Sequence, residues 1–250
     1  MVKCILSVLL LLSLFITPAL ADPFEFLEDY AADISELYNP DDPSAGTFVF
    51  SCRYPHVDEH AEGGAVINAF YEYQLNDAVD YLVPMLQDGY WGEDFSTVIT
   101  YTVTCNSEDY FSVLLRTEKN RSETSVVQWK GQVFSREYAY GATCSLPVLL
   151  GILDQNEKDE EIQSYQTEKV SKTIRKMVWN LIEEDDSQTL ANCLSEEDLA
   201  YLFFPAEDFY LDENGDPVFY LQPYYVLETV PDNAELITFT IPFEDILDEL

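Results

Sequence analysis

The 250-residue sequence predicts an α+β fold in which antiparallel sheets carry packed helices. Three observations predict it. Several runs alternate apolar and polar residues with period two and are rich in β-branched and aromatic side chains, the mark of strands. A few longer stretches repeat their apolar residues at helical spacing. The two kinds of segment are mixed without a strand–helix–strand rhythm.

Taken from the N-terminus, residues 1–21 read as a secretory signal. Lys3 precedes the apolar run Ile5–Phe15, and Ala19-Leu20-Ala21 offers a small-x-small cleavage site. The run is shorter than the ~20 residues of a spanning helix, and no second apolar span follows, so the mature chain is expected without a membrane span. Residues 22–45 form an N-terminal helix and turn in this reading. Leu27, Tyr30, Ala31, Ile34, Leu37 and Tyr38 recur at helical spacing over 24–38, and Asn39-Pro40-Asp41-Asp42-Pro43 breaks the chain.

Residues 47–54 alternate as a strand, and a helical pattern runs from Glu62 to Met85, where Pro84 should end or kink it. Residues 97–105 and 109–117 predict a hairpin, with Thr97, Ile99, Tyr101, Val103 and Cys105 on one face. Residues 125–138 supply a third antiparallel strand. The strongest helix covers 162–183, with an apolar stripe from Ile162 to Leu181 and a cationic stripe of Lys169, Lys172 and Lys176. A second hairpin spans 209–221 around Asn214-Gly215, a type I′ signal. A strand over 236–241 and a short helix over 243–250 close the chain.

Charge narrows the function. The chain has 12 Lys+Arg against 47 Asp+Glu, a formal charge of −35. That excludes a nucleic-acid binder and docking onto an anionic membrane, both of which need clustered cations. With 14% aromatic residues it is not a disordered acidic chain. The charge is uneven: residues 22–115 hold 19 acids and Arg53 alone among bases, 116–176 are near neutral, and 177–250 hold 19 acids and no base. Two anionic arms thus flank a neutral middle.

Export gives four mature cysteines: Cys52, Cys105, Cys144 and Cys193. Apolar faces around Cys52 and Cys105 suggest the pairing Cys52–Cys105 with Cys144–Cys193, and four buried free thiols are the alternative. His56, Asp58 and His60 alternate and would share a side of an extended segment, as metal ligands do, or form a polar loop before the helix. Asp212 to Asp216 echoes a calcium loop but lacks its spacing, and a hairpin turn explains the same residues. No Gly-x-Ser-x-Gly elbow and no phosphate-binding glycine loop is present, and Cys144 reads as structural rather than nucleophilic. No catalytic residue and no cofactor is therefore expected, and the protein is read as a non-enzyme.

One resemblance covers about residues 46–250. Phe209-Tyr210-Leu211, Gly215-Asp216-Pro217-Val218-Phe219-Tyr220, Pro223-Tyr224-Tyr225-Val226 and Ile237–Phe243 occur in the order of the RsiV-like module. Upstream, Tyr54-Pro55, Ile67-Asn68 and Tyr138-x-Tyr140-Gly141-Ala142 fit the same arrangement. That module is the extracytoplasmic part of lysozyme-sensing anti-sigma factors and the non-catalytic N-terminal part of PdaC-type peptidoglycan deacetylases. The family's Gly-Gly-Ala-His join reads Tyr140-Gly141-Ala142-Thr143 here, and only Met1-Val2-Lys3 precedes the apolar run, so sigma-factor binding does not carry over.

The resemblance implies two coupled halves, 46–145 and 146–250, with structural roles for the motif residues. It also implies an exported, bacterial, cell-envelope binding protein for a cationic protein of the lysozyme type. The alternative is a peptidoglycan- or glycan-binding accessory module or envelope enzyme, for which Tyr90 and Trp91 are the candidate sugar-stacking residues.

Overall fold

A computed structural model describes residues 23–37, 41, 46–89, 93–122, 124–136, 142–185, 190–222 and 236–250. The predicted signal at 1–21, Tyr90-Trp91, Tyr138-x-Tyr140-Gly141 and Pro223-Tyr224-Tyr225-Val226 lie outside them. The fold is α+β, as the alternating and helical runs imply.

Five strands make the first sheet in chain order: β1 (Tyr30–Leu37), β2 (Thr47–Tyr54), β3 (Phe95–Asn106), β4 (Tyr110–Arg121) and β5 (Thr124–Ser135). All pairs are antiparallel except β2–β3, which is parallel. The wholly antiparallel expectation is corrected there. A parallel pair needs a crossover, and the long helical segment provides it: α1 (Gly64–Asp77), a π turn (Ala78–Leu82) and α2 (Val83–Gly89). The helix neither ends at Pro84 nor runs straight to it. Proline lacks an N–H and crowds the carbonyl four residues back. The chain widens immediately before it, with Val83 N–H bonded to Ala78 O.

The N-terminal helix is also corrected. Residues 30–37 form β1, paired with β2 from Tyr30↔Tyr54 to Leu37↔Thr47. The period-two set Tyr30, Ala32 and Ile34 packs against the core, whereas Leu27 and Leu37 of the supposed helical stripe are 49% and 45% exposed. A ladder along the free edge of β2 satisfies more backbone groups than an isolated acidic helix would. The N-terminal segment thus belongs to the first half.

One face of the sheet and the α1–α2 segment enclose the first core: Phe48, Phe50, Tyr54, Ile67, Tyr71, Phe95, Phe111, Val113 and Phe134. Tyr54 stacks on Tyr71 at 5.8 Å, and Phe70 meets Phe134 edge-on at 5.2 Å. Arg136 is 3% exposed and lies 4.1 Å over the Phe24 ring, donating from a terminal guanidinium nitrogen to Ser107 O. It ties the start of the chain to the β3–β4 turn.

The second half contains α3 (Leu146–Leu149), α4 (Glu160–Glu184), α5 (Glu196–Leu202), α6 (Phe243–Glu249) and an antiparallel sheet of β6 (Phe209–Leu211), β7 (Pro217–Leu221) and β8 (Ile237–Thr240). In α4, Asp159 caps the N-terminus by accepting from the Glu161 and Ile162 N–H groups, and Val170, Ile174, Val178 and Ile182 are buried at four-residue steps. Ile162 and Tyr165, placed in the apolar stripe by spacing, are 43% and 67% exposed. Of the lysine stripe, Lys176 reaches Glu249 of α6 at 3.9 Å with both side chains more than half exposed, a pair of little energetic weight.

The hairpin turn is not type I′, since Gly215 alone has positive φ (+85°) among 212–216. Asp212 accepts the N–H groups of Asn214 and Asp216 on one carboxylate oxygen, which favours a longer loop with a left-handed glycine. Those bonds also occupy the carboxylate that resembled a calcium ligand.

The halves dock where β6 crosses β4 and β5. Leu211 N–H donates to Ser112 Oγ at 3.0 Å. Gly131 of β5 lets the Phe209 carbonyl approach so closely that an added Cβ would lie 1.7 Å from its oxygen.

All four described cysteines are free thiols, Cys52, Cys105 and Cys144 buried and Cys193 exposed. The Cys52–Cys105 pairing is overturned. Register shifts between Val103 and Cys105, so the bulge sends Cys105 to the opposite sheet face and into the second core. Cys52 is level with Ile99, which puts Cys105 ~20 Å further along at ~3.3 Å per residue, beyond the ~7 Å reach of a disulfide. Cys144 and Cys193 are likewise unbonded.

Candidate functional site

The histidine segment does not converge. Val57 bridges to Phe26 in extended form, and the chain then turns at Glu59-His60. His56 lies on Tyr30 at 4.5 Å, its Nδ1 2.9 Å from Glu28 O. Asp58 accepts the His60 N–H at 3.0 Å, and the His60 side chain is 86% exposed. The alternation that would align the three ends at Val57. Among the described residues no group of three or more His, Cys, Asp or Glu is arranged to hold a metal.

Three side-chain amides clamp backbone segments, and one of them, Asn68, belongs to a motif. Asn68 is buried and clamps Val57, accepting its N–H at 3.0 Å and donating to its carbonyl at 2.8 Å. Asn106 holds Phe24 in the same way, at 2.8 and 3.0 Å. Gln222 does so for Trp129, at 3.1 and 2.7 Å. Each side-chain amide replaces a missing strand neighbour, and Gln222 seals part of the outer edge of β5.

Beside that seal lies a cleft of about 800 Å³ between β5 and the second half. Its lining comes from Gln128–Gly131 of β5, from Phe204 and 206–209 at the approach to β6, and from Tyr220, Gln222 and Thr143-Cys144. Gly131 N–H donates to the Tyr220 hydroxyl at 2.9 Å, and burial pushes that phenol's pKa up. The Arg116 guanidinium stands 5.8 Å from the Trp129 ring centre, and Trp129 Nε1 is buried with no partner among the described residues. Burial raises the Cys144 thiol, which therefore stays protonated at neutral pH and is a poor nucleophile.

Asp208 is the distinctive carboxyl. Burial pushes it from 3.8 up to about 6, against the opposing hydrogen bonds from Phe204 N–H (2.8 Å) and the Gln222 side chain. A carboxyl raised on folding takes its proton first in the folded state. Stability should then fall as pH rises from about 4 to about 6 and level off above, by roughly 2–3 kcal/mol. Asp208→Asn keeps an acceptor for Phe204 N–H and is expected to flatten that slope in urea melts across pH 4–8. An unchanged slope would remove Asp208 as its source.

Trp129, Phe204 and Asp208 were not singled out as site residues by sequence. Trp129 reads as one more strand residue, and Asp208 as one of 47 acids. The one available signal was the pair Phe203-Phe204, too apolar for a single buried face.

No family model and no curated protein matches the sequence. Solved structures do. A DUF3298-family protein of Pseudomonas aeruginosa PAO1 superposes with a TM-score of 0.50 at 11% identity, covering 91% of this chain and 94% of that one. A DUF3298-family member from Bacteroides fragilis gives 0.49 at 13% identity, covering 88% and 91%. The chain has the DUF3298 fold. At this identity the likeness with the Pseudomonas protein shows architecture alone.

Proposed function

We propose that the protein is an exported, non-catalytic module of the RsiV-like type that binds a cationic protein such as lysozyme in the bacterial cell envelope. DUF3298 and the RsiV-like module are one family, so the fold is consistent with the resemblance in the sequence. The observation that carries the reading is where the acid excess lies. Glu72, Asp77, Asp80 and Asp88 are exposed along α1–α2, and Glu196, Glu197 and Asp198 along α5. Glu244, Asp245, Asp248 and Glu249 are exposed on α6. From Tyr54 to Leu115, and again from Met177 to Leu250, no lysine or arginine offsets them in sequence. Such a surface accelerates encounter with a cationic partner and selects partners by charge.

Titrating lysozyme onto the mature chain tests this. Saturable binding is expected at low salt, weakening at moderate salt as screening grows. Absence of binding at both ionic strengths would refute it.

A further inference from the structure

The cleft between the halves is separate from the anionic helix faces, and its chemistry differs from theirs. Its volume, about 800 Å³, falls within the ~300–1,000 Å³ typical of small-molecule sites. Four aromatic residues line it, of which Phe209 and Tyr220 are buried while Trp129 is half-buried and Phe204 exposed. Phe203 is fully buried in the second core, whereas the adjacent Phe204 is 48% exposed and lines the cleft. An exposed phenylalanine in a concavity is a surface kept open to a ligand's apolar face. Asp208 fixes its backbone by accepting the Phe204 N–H at 2.8 Å.

Around the rings stand Thr117, Lys130, Thr143 and Glu207, together with Asp208 itself. Hydroxyls, an ammonium and carboxyls alternate there, so donors and acceptors are both plentiful. The two carboxyls disfavour a phosphate or other anion, and the polar rim disfavours a wholly apolar ligand. A ligand matching this lining has flat faces of C–H groups and an equator of hydroxyls, each able to donate and accept. We propose that the cleft binds a short neutral oligosaccharide, with Phe204 and Trp129 as stacking surfaces and Asp208 and Glu207 as hydroxyl acceptors. The inference stands independently of the cationic-partner reading.

Calorimetric titration of the mature chain with the N-acetylglucosamine trisaccharide and with maltotriose tests it. Saturable binding of at least one sugar is expected. Phe204→Ser removes a half-exposed ring outside both cores, so the fold should persist. Affinity should fall at least tenfold. Tyr165→Ser, at an exposed site on α4, should leave it unchanged. Failure of both sugars to bind the parent protein would overturn the proposal. So would a Phe204→Ser protein of parental affinity, or an equal loss in Tyr165→Ser.

Discussion

Gly131→Ala is expected to cost about 3 kcal/mol in urea denaturation of the protein. The added Cβ would sit 1.7 Å from Phe209 O and 2.7 Å from Phe209 C. Both are backbone atoms of β6, so no side-chain rotation relieves the clash. Either β6 retreats or β5 bends. If β6 retreats, the bond from Leu211 N–H to Ser112 Oγ and the one from Gly131 N–H to Tyr220 are stretched together. Losing a buried hydrogen bond adds roughly 1 kcal/mol or more each. Gly215→Ala is the matched control. Its left-handed φ of +85° strains any L side chain, but nothing lies within 4 Å of the new Cβ. About 1 kcal/mol is expected there. Equal losses at the two glycines would mean that docking of the halves does not depend on contact at Gly131.

The contrast between these glycines marks where sequence reading reaches its limit. Gly215 announces itself, because Asn214-Gly215 between alternating runs reads as a turn. Gly131 sits inside a clean strand pattern, and the residue that excludes a side chain there lies 78 positions away, at Phe209. The same holds for the rest of the fold. β2, β3, β4 and α4 were legible because each buries one face with a regular period. β1 mimics a helix because two of its outward residues, Ala31 and Leu37, are apolar and complete a helical spacing with Tyr30 and Ile34, and its inward set is short. The parallel pairing of β2 with β3 is decided by which edge the crossover reaches, which periodicity does not encode. The bulge before Cys105 moved one residue to the other face and with it removed the disulfide. The candidate cleft was least legible of all. Its walls come from β5 and from the loop before β6, and nothing local distinguishes Asp208 from the acids that remain in water.

Asn68→Leu is expected to destabilise the first half by about 2–4 kcal/mol, although leucine suits a core helix position by size and propensity. Asn68 is 6% exposed, and its amide occupies both the N–H and the carbonyl of Val57, itself fully buried. Leucine strands both backbone groups, each costing roughly 1–3 kcal/mol when left unpaired, and its added apolar burial offsets only part of that. Asn68→Asp separates the clamp from simple packing, because it preserves shape. The aspartate still accepts Val57 N–H but, ionised, faces the Val57 carbonyl with a negative oxygen in place of a donor. Protonation restores the donor. The folded state of this variant therefore binds the proton more tightly than the unfolded chain, so its stability should rise as pH is lowered toward 5, relative to the parent protein. Asn68→Leu has no such group and should lose the same amount at every pH. If the two variants respond identically to pH, the amide does not act through Val57. If the aspartate variant alone recovers at low pH, the bidentate clamp is what holds the segment before α1 in place.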